Sequence, residues 1–328
     1  MVATALAGLA LLLGLYAWLY HNVLQGTRCR NETGLRGKTV LITGGNTGIG
    51  KATALDLARR GARIILACRH RARGESAAYD IRRASGNNEV LFMSLDLASL
   101  KSVRVFAETF LRSEPRLDIL INNAGIADGG RSEDGFNLAF QVNHLGHFLL
   151  NHLLLDRLQH CAPSRLLVVA SNAHLPGKID FQNVHKPVAG VLKAFQSYCN
   201  SKLANILYAR ELANRLEGTK VTCYAIHPGS VRTEIVRSIP TWMKPFYFLF
   251  SWLFFRDPTG GAQTSIYCAT QEGIEMFSGR YFVDCELQDP WPHACDDAVA
   301  KKLWEVSEKL LGLPPGGPHD PLGLLSRR

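Results

Sequence analysis

The chain has 328 residues, 47% apolar and 20% charged, enough for one large α/β domain with a full core. Its formal net charge is +9, but the lysines and arginines form no polybasic block and no nucleic-acid-binding motif accompanies them. Eight dispersed cysteines without a C-x-x-C pair argue against a disulfide framework and read as small apolar side chains in a reducing compartment.

Val2 to Tyr20 carries no charge. At about 1.5 Å rise per residue it is just long enough to cross a ~30 Å hydrocarbon layer. Tyr16, Trp18 and Tyr20 fit an interfacial aromatic belt, and Arg28 and Arg30 follow. Residues 1–24 therefore read as a membrane anchor, with the body of the chain on the cytosolic side by the positive-inside rule. A cleaved signal peptide is the alternative, but there is no basic n-region and no clear A-x-A cleavage site. Residues 25–36 are a polar linker.

Val40 to Thr43 has the apolar, β-branched composition of a buried strand. Glycines follow at 44, 45, 48 and 50, and Lys51 to Arg60 continues with helix formers until Gly61. Strand, glycine turn and helix in this order let a backbone approach a pyrophosphate, which sits against the free N–H groups of the helix start. A tight turn with no ligand is the plainer alternative.

The alternation continues. Ala62 to Cys68 is a second strand and Ala72 to Ala84 a helix. Glu89 to Ser94 is a third strand, and Leu100 to Ser113 an amphipathic helix. Leu117 to Ile121 is a fourth strand, Phe136 to Leu158 a long helix and Arg165 to Ser171 a fifth strand. Ala194 to Leu216 is helical, Lys220 to Ile226 a sixth strand, and Ser278 to Val283 the last. Strands separated by helices of this length require right-handed crossovers, hence an α/β, doubly wound parallel sheet over residues 37–311. From Gly312 the chain is too rich in Pro and Gly to pack, so 312–328 reads as a disordered tail.

Tyr198 and Lys202 are i and i+4, stacked on one helix face. A neighbouring ammonium favours the phenolate and lowers a phenol pKa, which is how a proton donor for carbonyl reduction is tuned. Ser171 closes the fifth strand at the sheet edge where open α/β sheets bind ligands. Asn143 lies inside a helix, where asparagine has poor propensity. His144, His147 and His152 lack metal-site spacing, and no metal is expected. Arg69 stands about 20 residues beyond the glycines, where an NAD site places an acid. An arginine there can pair with a 2′-phosphate and stack on adenine, so NADP(H) is expected. Arg71 and Arg73, on the following helix, read as solvated. Pro240 to Phe255 is dense in Trp, Tyr and Phe, marking a lipophilic lobe over about 230–260 that Lys244 and Pro245 prevent from spanning a bilayer.

The segments TGGNTGIG, NNAG, Asn143, Ser171, YCNSK and HPGSVRTE, in this order, resemble the short-chain dehydrogenase/reductase family, over about residues 37–311. ACR after the second strand, VNHLGHFLL and the SNAH beginning at Ser171 look like its retinol dehydrogenase branch, from which Gly45 departs where alanine is usual. The resemblance implies a Rossmann fold with Tyr198 as proton donor, Lys202 lowering its pKa and holding the nicotinamide ribose, and Ser171 on the reacting oxygen. It implies that Asn143 keeps a water behind Lys202. Gly44, Gly48 and Gly50, with Asn46, Thr47 and Ile49, would take the pyrophosphate. Asp96 and Leu97 would meet the adenine. Asn123, Ala124, Gly125, Pro228, Gly229, Val231 and Thr233 would complete the cofactor site. The expected protein is a membrane-anchored, NADP(H)-dependent oxidoreductase interconverting a lipophilic alcohol and its aldehyde or ketone, retinoid, steroid or lipid, in the reductive direction. A catalytically silent NADP(H)-binding membrane scaffold is the alternative. Membrane lipid and a small lipophilic substrate are the expected partners, with no nucleic acid; an oligomer is left open. The endoplasmic reticulum membrane, facing the cytosol, is the expected location, with the mitochondrial membrane or secretion as alternatives.

Overall fold

β1 (Thr39–Thr43) is buried at every position, as an aliphatic strand covered on both faces must be. A computed structural model, describing residues 14–16, 18, 20, 25–232 and 244–315, places it inside an eight-stranded sheet. The other strands are β2 (Arg63–Cys68), β3 (Val90–Ser94), β4 (Ile119–Asn122), β5 (Ser164–Val169), β6 (Val221–His227), β7 (Tyr281–Val283) and β8 (Glu286–Gln288). Their order is β3-β2-β1-β4-β5-β6-β7-β8. All neighbours are parallel except β7 and β8, an antiparallel hairpin.

Helices α1 (Gly48–Arg59), α2 (Arg71–Ser85) and α3 (Leu100–Ser113) link the first four strands. Further on come α4 (Gly146–His160), α5 (Val191–Arg215), α6 (Lys244–Phe254), α7 (Pro258–Thr270) and α8 (Asp297–Leu311). Two cores result. Val40 and Ile42 meet Leu57 of α1, Ile81 of α2 and Cys268 of α7 on one face. Leu41 meets Phe106 of α3, Phe148 of α4, Leu207 of α5 and Leu303 of α8 on the other. The chain runs outward from β1 to β3, then returns to place β4 on the other side of β1. The crevice at this reversal, beyond the strand C-termini, is where such sheets take ligands.

The structure corrects several expectations. The long helix expected from Phe136 to Leu158 is a short turn (Leu138–Phe140), a π-helical turn (Gln141–Leu145) and then α4. Gly146 sits so close to the next layer that a Cβ would lie 2.7 Å from the Leu97 carbonyl oxygen. α1 starts at Gly48, inside the glycine motif. Three helices, α6, α7 and α8, and one strand lie beyond the expected set. α7 is capped by Asp257, which accepts from Gly260 N (2.6 Å), and α8 by Asp296, which accepts from Val299 N (3.0 Å). β8 closes a hairpin whose turn holds Asp284 and Cys285 at positive φ (54° and 62°).

Most of the expected anchor, all of 233–243 with Thr233, and the tail from 316 lie outside the described residues. Among those described, no helix is long and apolar enough to cross a membrane. Tyr16 donates its hydroxyl to the Leu253 carbonyl (2.8 Å), and Arg232 donates to the Tyr20 hydroxyl (2.9 Å). The N-terminal segment thus touches α6.

Candidate active site

A cleft of about 510 Å³ occupies the reversal crevice. Its first wall is the glycine turn. Gly44 and Gly48 have φ of +66° and +55°, and a Cβ on Gly44 would lie 2.9 Å from Ala124 Cα. On Gly50 it would lie 2.5 Å from Asn123 Nδ2 and 2.6 Å from the Gly44 oxygen. Glycine is therefore required at 44 for conformation and at 50 for close packing. Thr43 Oγ1 accepts from the backbone N–H groups of Asn123 and Ala124 (3.0 Å each), and Asn123 Nδ2 donates to the Thr43 carbonyl (2.9 Å). These bonds tie β1 to the NNAG turn after β4. The N-cap of α1, Thr47, makes no side-chain cap bond, which leaves the first amides of the helix available to an anion. Asn46, Thr47 and Ile49 line this end.

The second wall is the end of β2. Ala67 and Cys68 lead to Arg69, exposed at the cleft edge, with His70 and Arg73 beside it and no acidic side chain on this strand end. Arg73, four residues beyond Arg69, is exposed as expected and also lines the cleft. Arg71 is 82% exposed and pairs with Glu75 (2.8 Å). Asp96 and Leu97 form the floor beyond β3, Asp96 Oδ1 accepting from Ala98 N (3.0 Å). Asn123, Ala124 and Gly125 follow on one side, and Pro228, Gly229 and Val231 on the other.

Ser171, Tyr198 and Lys202 converge at the inner end of the same cleft. The Ser171 hydroxyl lies on the Tyr198 side of the cleft and accepts from Ala173 N (3.2 Å). Lys202 Nζ lies 5.7 Å from the Tyr198 ring centroid and donates to the Val169 carbonyl (2.9 Å). The spacing suggests a lowered Tyr198 pKa; the structure shows the reverse. Desolvation pushes the phenol up to about 12, against a smaller lowering influence from Ser171. Burial also brings Lys202 down to about 8. Asn143 is fully buried behind them rather than on the cleft wall. Its side chain donates to the Ile126 carbonyl and Ser201 Oγ and accepts from Ile126 N, all at 2.9 Å. A Cβ on Gly125 would meet both Lys202 Nζ (3.4 Å) and Asn143 Oδ1 (3.5 Å), so these two groups face one point. The Asn143 carbonyl faces His147 Nδ1 (3.1 Å), while His147 Nε2 faces Thr43 Oγ1 (2.8 Å). Burial holds His147 near pKa 4, neutral, with Nδ1 carrying the proton toward the carbonyl.

The short chain dehydrogenase family matches residues 38–244. The chain belongs to the short-chain dehydrogenase/reductase family. Dehydrogenase/reductase SDR family member 13 of Bos taurus is 58% identical, over 95% of this chain and 83% of its own length. Retinol dehydrogenase 14 of Homo sapiens is 49% identical, over 95% of this chain and 99% of its own. The crystal structure of an uncharacterized protein from Mycobacterium paratuberculosis superposes with a TM-score of 0.70 at 32% identity, covering 88% of this chain and 98% of that one.

The chain is thus an oxidoreductase of this family related to the retinol dehydrogenases. Apart from Thr233, every residue expected at the cofactor or the reacting oxygen lines the one cleft. Sequence reasoning missed Asn172, His227 and Ser230, which line it too. The adjacency of Asn172 to Ser171 and of His227 to Pro228 was the available signal.

Proposed function

We propose that this short-chain dehydrogenase/reductase is an NADP(H)-dependent carbonyl reductase for lipophilic aldehydes or ketones, held at a membrane by its N-terminal segment. The observation that carries it is the convergence of Ser171, Tyr198 and Lys202 on a cleft whose outer wall presents Arg69 instead of an acid. The residues are compatible with the cofactor: an open glycine cradle, an uncapped helix start and a guanidinium at the cleft edge that could meet a 2′-phosphate. When bound, the nicotinamide supplies the hydride. The α1 amides would bind the pyrophosphate, Arg69 the 2′-phosphate, Asp96 the adenine, and Asn123 would fix the turn between them.

Ser171 would hold the substrate oxygen beside the Tyr198 hydroxyl, and Tyr198 would deliver its proton there. Burial pushes the phenol up to about 12, so it holds its proton at neutral pH, and Lys202 would lower that value toward the working range as the proton leaves. Lys202, close under the ring, would counter the charge left on the phenolate and hold the nicotinamide ribose. Asn143, facing the same point as Lys202, would anchor a water for reprotonation.

A lipophilic substrate is supported by α6, whose Phe250, Trp252 and Phe254 are exposed, and by the retinol dehydrogenase relatives. A scaffold that binds NADPH without turnover would have no need of Ser171, Tyr198 and Lys202 in mutual reach. Aldehyde-dependent NADPH oxidation by the full chain in lipid vesicles, with retinal and long-chain aldehydes, separates the two. Turnover is expected; NADPH binding without consumption across the aldehydes would favour the scaffold.

A further inference from the structure

A second cleft, of about 440 Å³, lies beside the first, between the end of β6, the β7–β8 hairpin and the turn after it. Asn172, His227, Gly229 and Ser230 line both, so the clefts adjoin next to Ser171. Phe254, Val283 and Trp291 supply apolar walls. Apart from Gly229 and Pro290 the remainder carries polar groups, in contrast to a pocket for a plain hydrocarbon chain.

Two buried residues in this lining have unmet hydrogen-bonding capacity. His227 and Tyr281 are each 4% exposed, and His227 Nδ1 and Tyr281 Oη have no hydrogen-bond partner among the described residues. Such groups are costly to leave unpaired, and these two are the ones that line this cleft. Their neighbours are already engaged. His174 faces the Ser171 carbonyl through Nδ1 (2.8 Å) and accepts from Trp291 N (3.4 Å), with its ring edge-on to Tyr281 at 5.5 Å. Arg256 forms a two-point ion pair with Asp284, one arm at 2.9 Å.

Charge narrows the occupant further. The Arg256 cation is answered by Asp284 within the wall, and Asp289, at the rim, is 86% exposed. Burial, with Arg256 nearby, holds His227 near pKa 4 and therefore neutral. An anion entering would compete with Asp284 for Arg256, and a cation would meet the same pair from the other side. A neutral hydroxyl or carbonyl can serve a neutral imidazole and a phenol without disturbing either.

We propose that this second cleft receives a neutral oxygen group of the substrate, remote from the reacting carbonyl, against His227 and Tyr281. The preferred substrates are then lipophilic molecules oxygenated at both ends, rather than plain hydrocarbon aldehydes. The proposal rests on the reading of Tyr198 as the proton donor in the adjoining cleft.

The test compares unsubstituted aldehydes with ω-hydroxy, ω-oxo and ω-carboxy aldehydes over a range of chain lengths, with NADPH, in the wild type and in Tyr281→Phe. At a matching length the ω-hydroxy or ω-oxo aldehyde should have a KM about tenfold below that of the unsubstituted one, as expected for one well-made buried hydrogen bond. Tyr281→Phe should bring the two KM values together. Should that variant fold poorly, the wild-type comparison decides alone. No advantage at any length, an advantage that persists in Tyr281→Phe, or a preference for the ω-carboxylate would overturn the proposal. Absence of turnover with every aldehyde would sink the reductase reading itself, and this proposal with it.

Discussion

At Arg69 the choice between two cofactors comes down to one side chain. It follows Cys68 at the end of β2 and stands at the cleft edge with His70 and Arg73. Arg69→Asp should weaken NADPH by at least ~2–3 kcal/mol, about 30- to 150-fold, while sparing NADH. Measured kcat/KM for both cofactors checks this: an unchanged ratio in the variant would remove Arg69 from the site. Lys202 gives a second prediction. Its burial brings the ammonium down to about 8, so in the cofactor-free protein it is charged below that pH and neutral above it. NADPH affinity of the free protein should hold steady below pH 8 and decline above it. In Lys202→Met affinity should be weaker and flat across the same range; a wild-type decline that survives the substitution would have another source.

The elements differ in how openly the sequence announces them. β1, β2 and β5 are runs of aliphatic residues buried on both faces, so composition alone marks them. α3 carries its own start signal, Ser99 accepting from Ser102 N at 3.4 Å, and an apolar stripe of Val103, Phe106 and Phe110. The π-turn around Asn143 is different, because what holds it comes from elsewhere: Ile126, Ser201 and, through His147, Thr43. α7 packs a face of Gly261, Ala262 and Ser265 against its neighbours, and such small residues hide the helical period, although Asp257-Pro258 was a readable start. β8 is exposed at all three positions and has no apolar alternation to read. The second cleft was illegible for a related reason, since it joins Asn172, His227, Tyr281 and Trp291 from distant stretches. α6 supports a prediction of its own. Phe250→Asp with Phe254→Asp should raise KM for long apolar substrates by about tenfold or more over short ones, since a buried apolar side chain contributes roughly 1.5–3 kcal/mol. Equal losses for short and long substrates would make these side chains packing only.

For the molecule as a whole, acid is the predicted weakness. His144, His147 and His227 are buried, and burial holds them near pKa 3, 4 and 4. Unfolded, each would titrate near 6.5. The unfolded state therefore binds more protons below that value, and stability present above pH 6.5 is lost as pH falls toward 4, by about 1.4 kcal/mol per unit per histidine. Denaturant midpoints at pH 7 and pH 5 should differ accordingly; equal midpoints would contradict the neutral, buried state. Orientation is a separate matter. The Asn31 side chain of the sequon Asn31-Glu32-Thr33 is engaged by Arg60, Thr270 (both 2.9 Å) and Gln271 (3.2 Å), which leaves it poorly placed for a glycan. We propose that the body faces the cytosol, as the positive-inside rule applied to Arg28 and Arg30 implies for an N-terminal anchor. Protease should then reach it in sealed microsomes, and protection would reverse the orientation. The central claim is tested most directly by the initial rate of NADPH oxidation with a long-chain aldehyde, wild type against Tyr198→Phe, alongside NADPH binding to each. The account predicts a rate loss of ~10²–10⁴-fold with binding nearly intact; a variant retaining more than about a tenth of the wild-type rate would contradict it.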